Sequence, residues 1–109
     1  MSTATTSHFS TLISNFFATM RKHLSIRVTG RVQGVFFRAS AKAEAERLGI
    51  AGSARNEDDG TVLIEAEGEN AALDEFVSWC GRGPDFAQVS AVDVHEGEPR
   101  HFTSFTIEP

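Results

Sequence analysis

The order strand, helix, strand, strand, helix, strand, closed by a short fifth strand, predicts an α+β sandwich with both helices on one face of an antiparallel sheet. Two stretches rich in helix formers carry apolar residues at helical spacing. The extended stretches around them alternate apolar with polar residues, and Gly- and Asp-rich turns divide the two kinds. At 109 residues the chain is long enough for one domain with a real core.

Leu24, Ile26 and Val28 alternate with Ser25, Arg27 and Thr29, the period of a half-buried strand. The loop GRVQGVFFR, residues 30–38, leads into RASAKAEAERLG, whose Ala41, Ala45 and Leu48 share a face and whose Gly49 is placed to cap the end. This helix begins at or beside Arg38. IAGSARN and TVLIEAEGE, joined by EDDG, read as a hairpin with Asn56 ending its first arm. Glu65 and Glu67 alternate with Ile64 and Ala66 and so read as the exposed side of a strand.

NAALDEFVSWC sets Leu73, Phe76, Val77 and Cys80 at i, i+3, i+4 and i+7, with Asn70 as the expected N-cap, and GRGP stops it. FAQVSAVDVH and FTSFTI finish the chain as strands, the second short and at an edge. This is the split βαβ, ferredoxin-like arrangement, which hosts many unrelated activities. Its first strand is central and is expected to neighbour the strand before the hairpin turn, bringing Asn56 toward the glycine loop.

Net charge is −5, yet Arg21, Lys22, Arg27, Arg31, Arg38 and Lys42 all precede the first acidic residue, Glu44. That distribution suits a local site for a small anion and not non-specific nucleic-acid binding, which wants a broad positive excess. Stacking of RNA bases is not expected either, since neither LSIRVT nor TVLIEAEG contains an aromatic residue. His8, His23, His95 and His101 lack metal-ligand spacing, so no metal is expected. A single cysteine, Cys80, excludes an internal disulfide and fits a reducing, cytoplasmic setting. Residues 1–19 hold no Lys, Arg, Asp or Glu and match neither a secretory signal nor a membrane span. The expectation is a flexible extension over residues 1–21, a domain over 22–109, no membrane partner and a monomeric state.

Arg38 sits where Asp and Glu are favoured, because a helix start carries partial positive charge. One reading is that an anion belongs there. A glycine-bearing loop running into a helix aims several backbone N–H groups the same way, Gly34 permits a tight wrap, and an arginine fork matches two phosphate oxygens. The other is a tight turn followed by a solvated arginine. Phe36 and Phe37 read as core or loop anchors and Gln33 as a solvent-facing amide. Asn56 either bonds its own backbone or holds a water beside the anion site.

GRVQGVFFR followed by GSARNEDDGTV resembles the two signature segments of the acylphosphatases, hydrolases of the carboxyl-phosphate bond. The likeness runs from about Leu24 to Ile107 and takes in WCGRGP after the second helix. It implies that Arg38 binds the substrate phosphate, that the backbone of Val32, Gln33, Gly34, Val35, Phe36 and Phe37 forms the cradle, and that Asn56 orients the attacking water. It further implies a small acyl phosphate as the partner and no cofactor. A phosphate-binding regulatory module without turnover is the alternative. Ser53 and Ala54 depart from the family pattern and suggest looser packing behind Asn56.

Overall fold

The computed structural model describes residues 20–109. Strand β1 spans Arg21–Arg31, helix α1 Phe37–Leu48, β2 Ala51–Asn56, β3 Val62–Glu69, α2 Asn70–Cys80, β4 Gln88–Gly97 and β5 Phe105–Ile107. The expected extension over residues 1–21 therefore lies almost wholly outside the described residues. Arg21 is already paired with Glu69 in the sheet, so β1 starts three residues before the alternation at Leu24.

The five strands lie in the order β4-β1-β3-β2-β5. Every pairing is antiparallel except that of β5 with β2, which is parallel. The sheet is therefore mixed, a correction to the antiparallel expectation. Its cause is the connection after β4, which crosses from one edge of the sheet to the other and enters β5 running the same way as β2.

One face of the sheet takes both helices, α1 over β2 and β5, α2 over β3 and β1. Period-two alternation sends Ile26, Val28, Ala54, Val62, Ile64 and Ala66 to that side, where they are buried with Phe37, Ala41, Ala45, Leu73, Phe76 and Cys80. Trp79 stacks on Phe76 at 6.2 Å between ring centroids and tilts against Phe37 at 5.4 Å, joining the helices. Burial pushes the Cys80 thiol up to about 12, so it stays a protonated packing group. Helix α1 ends as expected, with Gly49 left-handed at φ 72°. Helix α2 departs from expectation: its N-cap is Glu69, and Asn70 is already helical. The chain passes from β3 into the helix with no turn between them, which leaves no residue for an asparagine cap.

The opposite face corrects a second expectation. Glu65 and Glu67 are buried, not exposed, at 7% and 2% of their full accessibility. Strand alternation identifies the face but not what covers it. Here the β4 to β5 connection passes over them, donating the Arg100 and Phe102 N–H groups to Glu67. The buried His23 ring sits between the two carboxylates, Nδ1 2.7 Å from Glu67 and Nε2 2.7 Å from Glu65, and Ser25 also donates to Glu65. Phe102 stacks over His23 at 6.1 Å.

Burial alone would raise the Glu67 carboxyl, but the Arg100 N–H, the His23 ring and the Phe102 N–H together outweigh it and hold it below its ordinary 4.5. A carboxyl depressed in the folded state stabilises above the unfolded value and loses that contribution as pH falls through the folded one. Glu67→Gln should therefore cost about 3 kcal/mol at neutral pH, as breaking one side of a buried charged cluster does. Between neutral and acid pH the deficit should shrink, as the pH falls through the depressed folded value and the wild-type carboxyl becomes protonated too. Urea unfolding of both proteins at the two pH values measures this; an equal deficit at both would contradict it.

Candidate active site

Gly30 and Gly34 turn out to do different things. A bulge between Thr29 and Gly30 shifts the register of β1 against β4, and a Cβ at Gly30 would lie 2.2 Å from the Gln88 carbonyl oxygen. Its smallness serves the sheet. Gly34 has open space where a Cβ would go but a φ of +76°, so its requirement is conformational. Phe36 is also left-handed, at φ 64° and ψ 27°, and stands as the N-cap of α1 with no side-chain cap. Positive φ at both residues coils the loop tightly before the helix. Among the described residues, no backbone carbonyl accepts from the N–H groups of Gln33 to Phe36. The first turn of α1 contains no acidic residue, so its partial positive charge is not offset there.

A cleft of about 290 Å³ opens at this point, lined by Val32, Gly34, Phe36, Phe37, Arg38, Ala39, Asn56 and Ile107. The loop, the start of α1, the end of β2 and the end of β5 all contribute. Asn56 gets there by a route other than the expected one. Strand β1 neighbours β3 and β4, so β2 lies one strand further away. Asn56 nevertheless shares the helix-facing side of β2 with Gly52 and Ala54, opposite Val62, and so ends that strand beside the start of α1.

Each residue expected in the cradle has a definite place. Val32 and Phe37 are buried and line the floor; Val35 is buried in the core and does not line the cleft. Phe36 is no core anchor, at 76% exposure. Gln33 is not a solvent-facing amide: its Nε2 donates to the carbonyls of Glu57, at 2.8 Å, and Thr61, at 2.9 Å. Those carbonyls flank the hairpin turn, so Gln33 ties the glycine loop to the segment that follows Asn56. The turn itself is held by Asp59, whose Oδ1 accepts from the Thr61 N–H and hydroxyl. Those same hydrogen bonds lower the Asp59 carboxyl below its ordinary value. Asp59 is thus a turn residue and no acid or base of the cleft.

Arg38 donates through Nη1 to the Glu108 carbonyl oxygen at 2.7 Å. Glu108 in turn donates its N–H to the Ala54 carbonyl at 2.9 Å, two residues before Asn56. The end of the chain therefore braces Arg38 and β2 together. Ser53 and Ala54 are buried within β2, Ala54 fully and in the core. Ile107 and Glu108 had no signal in the sequence as site residues, because only the parallel pairing of β5 with β2 carries Ile107 to the cleft and the Glu108 carbonyl to Arg38.

A family model described as acylphosphatase matches residues 24–107. An acylphosphatase of Nocardioides sp. is 50% identical over 88 residues, which cover 81% of this chain and 89% of that protein. One from Rubrobacter xylanophilus is 51% identical over 79 residues, 72% of either chain. The crystal structure of an acylphosphatase from Bacillus subtilis superposes with a TM-score of 0.79 at 38% identity, over 83% of this chain and all 100% of that one.

Proposed function

The chain belongs to the acylphosphatase family, hydrolases acting on acyl phosphates, and we propose that Arg38 and Asn56 carry the reaction in the cleft at the start of α1. The observation that supports this most is their convergence. Two residues eighteen positions apart, on different elements, line one small cleft together with the left-handed Gly34.

In this reading the phosphate of the substrate lies in the loop of residues 32–37, against backbone N–H groups and the positive end of α1. Arg38 supplies the planar cationic fork that binds two phosphate oxygens and stabilises charge on them during transfer. Asn56, both donor and acceptor, holds a water in line with the bond to the leaving carboxylate. Water attacks phosphorus, the bond from phosphorus to the carboxyl oxygen breaks, and carboxylate and inorganic phosphate result. Among the described residues, the polar side chains lining the cleft are Arg38 and Asn56 alone, and neither is a base. The water therefore passes its proton to a phosphate oxygen of the substrate itself. The working domain is residues 22–109, acting as a cytoplasmic monomer. No helix among the described residues is long and apolar enough to cross a membrane.

The test is hydrolysis of benzoyl phosphate by the purified protein in EDTA. Turnover that persists in the chelator is expected. A folded protein that binds inorganic phosphate without turnover would turn the reading into that of a binding module.

A further inference from the structure

Phe36 poses a question that phosphate binding does not answer. The loop demands a left-handed residue there, which glycine or asparagine adopts most readily and a bulky side chain adopts at a cost. The chain instead places a phenylalanine, 76% exposed, at the wall of the cleft. Large apolar side chains left in water at strained positions beside a site point to a ligand that covers them.

The composition of the cleft says which part of the ligand that is. Once Arg38 and the loop amides hold the phosphate and Asn56 the water, the acyl group must lie against the side chains that remain. Val32 and Phe37 are 1% and 2% exposed and offer almost no surface. What remains is Phe36, Ile107 from the end of β5, 40% exposed, and Ala39 of α1. None of the three carries a charge or a side-chain hydrogen-bonding group. An acyl group bearing a carboxylate or ammonium would lose hydration there and gain no partner.

We propose that Phe36 and Ile107 form the acyl-binding wall of the site and select acyl phosphates with uncharged, apolar acyl groups, flat aromatic ones above all. This rests on the phosphate reading above and extends it to the other half of the substrate. A ring stacked on Phe36 in offset or edge geometry would regain the contact that the exposed side chain lacks.

The experiment compares kcat/KM for benzoyl, acetyl and succinyl phosphate in the wild type and in Phe36→Asn, Phe36→Leu and Ile107→Ala. Asparagine tolerates the left-handed backbone and removes the apolar surface. Any damage to the cradle falls on all three substrates and cancels in their ratios. The benzoyl-to-acetyl ratio should drop about three- to tenfold in Phe36→Asn, recover in large part in Phe36→Leu, and drop to a lesser extent in Ile107→Ala. Succinyl phosphate, with its free carboxylate, should be the poorest wild-type substrate. Unchanged ratios in enzymes that still turn over would overturn the acyl wall and leave the phosphate site standing. A wild type inactive on all three would bring down the phosphate reading, and the acyl wall with it.

Discussion

Arg38→Ala is expected to lower kcat/KM for benzoyl phosphate by about 10³-fold, with both a raised KM and a reduced kcat. Among the described residues Arg38 is the only formally charged group lining the cleft, so its removal leaves the phosphate to neutral backbone donors and a helix end. In the proposed mechanism it binds the ground state and stabilises charge that grows on the phosphoryl oxygens, hence the fall in both parameters. Arg38→Lys should recover little, because a point charge does not reproduce a fork already held in orientation by the Glu108 carbonyl. Steady-state kinetics beside a urea unfolding curve separates this from loss of fold. A variant within tenfold of wild type would remove Arg38 from the proposed chemistry.

Asn56→Ala should behave differently. Its rate should fall by about 10² to 10³-fold while KM stays within roughly threefold, since misplacing the attacking water costs positioning and not phosphate binding. Alanine at that point leaves β2 paired with β3 and its neighbour Ala54 packed, so stability should change little. Asn56→Asp adds a distinct test. Its carboxylate keeps the size and can still accept from a water, but it places a negative charge beside the phosphate, so here KM should rise as well. Equal losses of binding and rate in Asn56→Ala would instead make Asn56 a second phosphate ligand.

These two variants probe residues whose candidacy was legible before any fold was known, and the reason is local. A misfit of charge at Arg38, a glycine that needs positive φ at Gly34 and an amide at the end of a hairpin arm are all features of short sequence spacing. The surroundings were less legible. Gln33 reads as a loop amide until the hairpin carbonyls of Glu57 and Thr61 come within reach. Glu65 and Glu67 read as a solvated face until the crossing from β4 to β5 lays two backbone N–H groups and an aromatic ring over them. Phe36 and Phe37 are adjacent and identical, yet one is 76% and the other 2% exposed, because the helix begins between them.

The amino-acid sequence by itself determined the succession of strands and helices, the side of each that faces the core, and the loop and asparagine that mark the family. The succession and the core-facing sides rest on periodicity and turn chemistry, which act over a few residues, and the family mark on the resemblance of two short segments. Only the tertiary structure decided the strand order, which sets β3 between β1 and β2, and the parallel seat of β5. It likewise decided that Ile107 reaches the cleft, that the Glu108 carbonyl reaches Arg38, and that a histidine and two glutamates lie buried under the crossing segment. Pairings between distant segments depend on which surfaces remain uncovered once the local elements have formed, and no short window of sequence contains that information.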